Sequence, residues 1–152
     1  MANKDQRPRM FSITMTQEQL ELIGRMCDFA ARIRLGQFSI LVDEIIFNQD
    51  PRESSWESRR QAAYDVLYAG RGILFPKLGS SRGTHYGVNH DSEADALFDI
   101  NDVIRHKLWE LKPREERSFI SVEAYKPRHW SKYPLPVVRI AVEEPTHDSD
   151  KM

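Results

Sequence analysis

The sequence predicts an α+β domain in which three or four helices pack on one face of a small antiparallel sheet. Long segments with apolar residues at helical spacing occupy the middle of the chain, and short alternating segments lie near both ends. The length of 152 residues, with 40% hydrophobic and 30% charged residues, suits one folded domain. We expect a disordered tail over residues 1–9, a single domain over 10–144 and an acidic tail over 145–152.

The N-terminal part predicts a short strand followed by a long helix. Residues 10–15 (MFSITM) alternate, with their apolar side chains on one side. Thr16 and Gln19 have the spacing of a capping box, which opens a helix of about twenty residues. One face of this helix is polar and the remainder apolar; the polar face holds Glu21, Arg25, Asp28 and Arg32. Gly36 is a plausible end of the helix.

Three further helices are predicted before residue 112. The segment FSILVDEIIF (38–47) fits either a helix or a buried strand, and its spacing favours the helix. A second long helix covers 56–69 and ends at Gly70. A third covers about 92–111, with Asp91 or the next residue as its cap. Its carboxylates predict a solvated outer face; they are Glu93, Asp95, Asp99 and Asp102.

The C-terminal part predicts a β-hairpin. SFISVEAY (118–125) and PVVRIAVEE (136–144) both alternate between apolar and polar residues. The connection between them, KPRHWSKYPL (126–135), is long, basic and aromatic. These two strands would form the core of the predicted sheet.

No motif of a familiar enzyme class or metal site occurs in the chain. The histidines and carboxylates nearest to a cluster, His85, His90, Asp91 and His106, lack the paired spacing of a zinc site. The single cysteine, Cys27, lies on an apolar helical stripe and predicts a buried structural thiol. We therefore predict no catalytic residue, no metal and no cofactor. Neither a secretory signal nor a transmembrane segment is visible, which predicts a cytoplasmic protein without membrane contact.

The loop GSSRGTHYGVNHD (79–91) is the strongest candidate for a ligand site. It precedes a helix N-terminus, where unpaired N–H groups and the helix dipole favour anions. Glycines allow close approach of the backbone, and the side chains supply a planar cation, hydrogen-bonding groups and a ring; these are Arg82, Thr84, His85, Asn89 and Tyr86. The alternative is a mobile connection in which Asp91 caps the helix and competes with any anion.

Two other features of the sequence favour binding. Arg105 follows Asp102 by three residues, so it either forms a surface salt bridge or points into a pocket under the loop. Residues 125–133 (YKPRHWSKY) interleave aromatic and cationic side chains. This composition suits stacking on nucleic-acid bases, and it equally suits a protein interface.

Three segments resemble a widespread family of small proteins encoded by tailed phages. They are RIRLGQF (32–38), HYGVNHDSEA (85–94) and DINDVIRHKLW (99–109), and the resemblance covers roughly residues 10–110. The family is similar to the viral sponge proteins of the anti-CBASS type, which sequester cyclic di- and trinucleotide signals of bacterial anti-phage defence. The resemblance implies a homo-oligomer with ligand pockets and without catalysis. The residues that it carries over are Arg32, Gln37, Tyr86 and Arg105.

The leading hypothesis is therefore a phage-encoded, non-enzymatic protein that sequesters a cyclic oligonucleotide immune signal in the host cytoplasm. Arg32, Arg82 and Arg105 would meet phosphates. Tyr86 would stack on a base, while His85 and Asn89 would read base edges. The alternative is a nucleic-acid or protein interaction module that uses the basic and aromatic surface. A nucleotide hydrolase is a third hypothesis, for which no arrangement of nucleophile, base and metal is visible.

Overall fold

The computed structural model describes residues 9–46, 55–78 and 88–141, and these ranges contain only helices, turns and irregular segments. The helices are α1 (Gln17–Arg34), α2 (Ser39–Ile46), α3 (Trp56–Leu74) and α4 (Ser92–Leu111). Three short 3-10 turns cover Pro76–Leu78, Arg114–Glu116 and Val122–Ala124. The predicted α+β class is wrong, because the described part of the chain is all-helical. Except for Arg9, the two predicted tails lie outside the described residues.

Helix α1 begins and ends as its sequence predicts. The Thr16 N–H donates to Gln19 Oε1 (2.9 Å), and the Gln19 N–H donates to Thr16 Oγ1 (3.3 Å), which completes the capping box. The chain leaves the helix through Gly36, whose φ of 73° lies in the left-handed region that glycine adopts without a steric penalty.

Helices α1 and α4 form the central pair of the fold. They approach each other through small residues: Ala31 and Ala94 are fully buried and pack with Leu35. A Cβ atom added to Gly24 would lie 3.0 Å from Ile104 Cγ2, so the glycine is what lets the two helices come this close. Leu97 and Phe98 of α4 pack against the same cluster. The core is therefore a narrow seam between two helices.

Helix α3 packs on α2 and stands apart from the central pair. Within the described ranges it contacts only α2 and the 3-10 turn that follows it. The Tyr64 hydroxyl donates to Asp43 Oδ1 (2.5 Å), and the rings of Phe38 and Phe75 meet edge to face at 5.8 Å. The predicted end at Gly70 is wrong: α3 continues to Leu74 and buries the side chain of Arg71, whose guanidinium lies 4.9 Å from the Tyr68 ring centroid.

The predicted hairpin does not form over the residues that the structure describes, where side chains of α4 bind backbone groups of the first predicted strand and of the connection. Trp109 Nε1 donates to the Ser118 carbonyl (3.0 Å), and His106 Nδ1 donates to the Glu123 carbonyl (2.9 Å). Asp99 accepts the N–H groups of Trp130 (2.8 Å) and Ser131 (2.9 Å). Residues 118–125 form turns and a 3-10 turn, and 126–141 lack regular structure apart from bends.

The other strand prediction is also wrong, since residues 10–15 are irregular. The alternating apolar side chains of this segment face solvent instead of a sheet; Phe11 and Ile13 are both largely exposed. In the ranges that the structure covers, no helix combines the length and the apolar character needed to cross a membrane.

Replacing Gly24 by valine should separate α1 from α4. The new side chain would overlap Ile104, and we expect a loss of about 1–3 kcal/mol in the free energy of unfolding, measured by urea denaturation. Gly70→Val is the matched control, because no atom lies within 4 Å of a Cβ built there. Equal losses in the two variants would show that the contact with Ile104 is not responsible.

Candidate functional site

The candidate site is an open groove of about 700 Å³ between α1 and α4. This volume is within the range of pockets that hold small organic ligands. Helix α1 lines it with Glu18, Glu21, Leu22, Gly24 and Arg25. Helix α4 and the segments after it contribute Asn101, Ile104, Arg105, Leu108, Trp109, Lys112 and Glu123.

The groove combines aliphatic surface with charges of both signs. Its aliphatic surface comes from Leu22, Ile104 and Leu108. Three cations line it, Arg25, Arg105 and Lys112, and so do three carboxylates, Glu18, Glu21 and Glu123. A hydrogen bond from Thr16 lowers the pKa of Glu18, and one from Ser121 lowers that of Glu123, so both stay ionised at neutral pH. The site therefore suits a ligand that carries both anionic groups and hydrogen-bond donors.

Arg105 is held in place and keeps unused donor capacity. Its Nη2 donates to Asp102 Oδ1 (2.7 Å), and its buried Nε has no hydrogen-bond partner among the described residues. The side chain is 32% exposed and lines the groove. The salt bridge to Asp102 is thus observed. The pocket under the loop stays a prediction, because the groove that Arg105 lines lies between α1 and α4 and residues 79–87 lie outside the described residues. Burial is the main cause that raises the pKa of Asp102, while Arg105 acts against it.

Trp109 is a fixed wall of the groove. Its ring stacks with His106 at a centroid distance of 5.6 Å, and the guanidinium of Arg117 lies 5.5 Å from its centroid. Phe119 meets it edge to face at 5.4 Å. Because these neighbours already occupy the ring, Trp109 shapes the groove and does not offer a free face for stacking on a ligand.

Two of the predicted ligand residues bind each other at the end of α1. Arg32 Nε donates to Asp28 Oδ2 (2.7 Å), and its Nη1 donates to Gln37 Oε1 (3.3 Å). Gln37 is buried. Neither residue lines the groove, so the structure gives this pair a role in closing the α1–α2 turn.

The loop 79–91 is described only from Val88 onwards. Arg82, Thr84, His85 and Tyr86 lie outside the described residues. Asn89 adopts a φ of 67°, and its N–H donates to both carboxylate oxygens of Asp95 (3.0 and 3.2 Å). This bond uses the Asn89 backbone and leaves its side chain exposed.

The N-terminus of α4 is occupied by a carboxylate of the protein itself. Asp91 accepts the N–H groups of Glu93 (3.0 Å) and Ala94 (2.8 Å). It also forms a two-bond ion pair with Arg34, at 2.7 and 3.1 Å. Asp91 thus competes for the position at which an anion was predicted to bind. The hydrogen bond from Arg34, followed by those from the helix N–H groups, lowers the pKa of Asp91.

The prediction of a solvated carboxylate face on α4 is wrong for two residues. Asp95 and Asp99 are both buried, and each accepts backbone N–H groups from a neighbouring segment. Helical periodicity places a residue on a face of the helix, but it does not say whether another segment covers that face.

The groove was missed by reasoning from the sequence, although a signal for it exists. Glu21 and Arg25 were recognised as one polar face of α1, and Asn101 and Arg105 repeat the same i, i+4 spacing on α4. Pairing these two polar stripes would have indicated a polar cleft. Lys112 follows the end of α4 and has no local pattern that marks it.

The described residues contain no group of three or more metal-ligating side chains. Cys27 is half-buried, and burial raises the pKa of its thiol, so it stays protonated at neutral pH. No family model, curated protein or solved structure matches the chain.

Replacing Asp91 by alanine should lower the free energy of unfolding by about 1–2 kcal/mol, because α4 loses its cap. Asp91→Asn should lower the free energy of unfolding by a smaller amount, since its amide oxygen still accepts a helix N–H.

The contribution of the Asp91 charge should depend on pH. The folded-state pKa of Asp91 is lowered, so its charge stabilises the protein above the ordinary carboxyl pKa. That contribution is lost as the pH falls through the folded-state value. Urea unfolding should therefore show the gap between wild type and Asp91→Asn closing on acidification; a gap independent of pH would contradict this.

Proposed function

We propose that the protein is a non-catalytic, phage-encoded binder that sequesters a cyclic oligonucleotide signal of host anti-phage defence in the α1–α4 groove. One observation carries the proposal. Arg105 lines a groove of about 700 Å³, is oriented by Asp102, and has a side chain that is 32% exposed. A phosphate oxygen is the kind of acceptor that binds an oriented, accessible guanidinium.

The mixed charge of the groove supports a nucleotide better than a simple anion. Phosphates would bind Arg25, Arg105 and Lys112, and amino groups on the bases would donate to the carboxylates on the same walls. The flat faces of the bases would cover the aliphatic surface. A hydrogen bond to a charged group contributes roughly 1.5–3 kcal/mol. A nanomolar complex has a binding free energy of roughly 12 kcal/mol. Three such contacts plus apolar burial approach this value only if the ligand and the groove lose little entropy on binding.

The proposed binding does not involve turnover. The described lining of the groove consists of carboxylates, an amide, three cations and apolar side chains. Arg82, Thr84, His85 and Tyr86 remain predicted contacts of the same ligand, with Tyr86 as the stacking ring that Trp109 does not supply.

A homo-oligomer is part of the proposal and has support from α3. Val66 and Ile73 are seven residues apart, so they lie on one stripe of the helix, and they are 72% and 82% exposed. Exposed apolar side chains in a row are typical of a protein interface. A second copy of the chain packed on this stripe would bury both side chains, and the resulting dimer would contain two grooves.

The ligand is identified by thermal stability against a panel of cyclic and linear nucleotides, followed by heating of the complex and chromatography of the released compound. A cyclic nucleotide that stabilises the protein and is recovered unchanged supports sequestration. Recovery of a cleaved product overturns it in favour of an enzyme, with His85 and His106 the first residues to replace. Absence of stabilisation by every nucleotide also overturns the proposal.

Arg105→Ala and Arg25→Ala should each weaken binding of the stabilising nucleotide by roughly 10- to 100-fold, because each removes a charged hydrogen bond. Titration calorimetry measures the loss. Lys107→Ala is the matched control: it removes a cation from α4 whose partner is Glu110 and which does not line the groove. Arg25 is exposed, so its replacement tests the groove even if Arg105→Ala unfolds. Unchanged affinity in Arg25→Ala together with a folded, fully binding Arg105→Ala would exclude the groove.

A further inference from the structure

We infer that residues 125–133, with the turn at 128–133 anchored to α4, form a docking surface for single-stranded nucleic acid. This surface is separate from the groove and does not depend on the function proposed for it. Four observations carry the inference: a buried anchor, a preformed turn, exposed aromatic rings and an excess of positive charge.

The anchor is the carboxylate of Asp99. It is 2% exposed and accepts two successive backbone N–H groups, from Trp130 (2.8 Å) and Ser131 (2.9 Å). Burying a carboxylate is costly unless hydrogen bonds replace its hydration. Among the described residues, the replacement bonds come from the irregular segment that holds Trp130 and Ser131, so the buried charge fixes the position of this segment on α4.

The anchored turn is further closed by bonds within itself. Ser131 Oγ accepts the Tyr133 N–H (3.2 Å), and His129 Nε2 donates to the Tyr133 carbonyl. A segment ordered before its partner arrives loses less conformational entropy on binding than a flexible one. The turn is therefore preorganised, and its side chains are positioned before a ligand binds.

The side chains that it presents are aromatic and cationic. Tyr125 is 63% exposed and Tyr133 is 50% exposed. Arg128 lies 5.7 Å from the centroid of the Trp130 ring, and Lys132 lies 5.5 Å from that of Tyr133. Rings for stacking beside cations for phosphates are the combination that proteins use to bind single strands.

The local charge fits a polyanion. Residues 125–141 contain four cations, Lys126, Arg128, Lys132 and Arg139, and no carboxylate. All four side chains are exposed. The whole chain has a net charge of −1, so this excess is local. Attraction of a polyanion would be directed to this segment.

The backbone of the segment argues against pairing with a strand of another protein. Pro127, Pro134 and Pro136 have no N–H to donate, and they interrupt the ladder that β-augmentation needs. Recognition must therefore run through side chains. The rings favour a single strand over a duplex, because stacked bases inside a duplex offer no free face.

The test is fluorescence anisotropy of a labelled DNA strand of about 16 nucleotides, titrated with the full-length protein at salt from about 50 to 200 mM. Affinity should fall with salt, with a log–log slope of about −0.7 for each phosphate contact. Arg128→Glu/Lys132→Glu should abolish detectable binding. The matched control, Lys77→Glu/Lys107→Glu, makes the same change in net charge away from the turn and should keep most of the affinity. Thermal unfolding confirms that each variant is folded.

A second pair of variants tests stacking separately from charge. Tyr125→Ala and Tyr133→Ala keep every cation, and each should weaken strand binding by roughly fivefold or more. An inorganic polyphosphate should compete poorly, since it has no bases. Four results overturn the inference: no binding at the lowest salt, equal losses in the two charge-reversal variants, unchanged affinity in both tyrosine variants, or competition by polyphosphate as strong as by unlabelled DNA. The last would indicate an acidic partner recognised by charge alone.

Discussion

The close packing of α1 against α4 is the contact on which the other features of the described structure depend. Gly24, Ala31 and Ala94 put small groups at the seam, and dispersion and apolar burial act over a short distance between the helix axes. The groove lies along the same pair of helices: Gly24 and Ile104 line it, and so do the side chains of Arg25 and Arg105.

Two faces of helix α4 make different contacts. One face packs on α1 and forms a wall of the groove. The other carries Asp99 and His106, which bind backbone groups of residues 123–131. Trp109 lines the groove and also binds the Ser118 carbonyl. The proposed nucleotide site and the anchored turn are therefore mounted on one rigid element, which allows each to be preorganised without a sheet or a metal.

Charge in this protein is mostly balanced locally. Asp91 and Asp99 each accept two backbone N–H groups, and Asp95 accepts one. Asp91 is paired with Arg34 as well. Because Asp91 already serves the N-terminus of α4, the described part of the fold leaves recognition of an anion to side-chain cations. Two sets of cations are placed for that task, those of the groove and those of residues 125–133.

The sequence by itself determined where helices α1 and α4 begin and end. The capping box at Thr16, the left-handed exit at Gly36 and the extent of α4 were all predictable, because the groups that decide them lie within a few residues of one another. It also marked Arg105 and the basic, aromatic character of residues 125–133. Only the tertiary structure decided that 118–125 is not a strand, since bonds from His106 and Trp109 of α4 to its backbone outweigh a local alternation. Residues 136–141 also lack regular structure. The groove and the burial of Asp99 likewise arise from contacts between segments far apart in the chain, which periodicity does not encode.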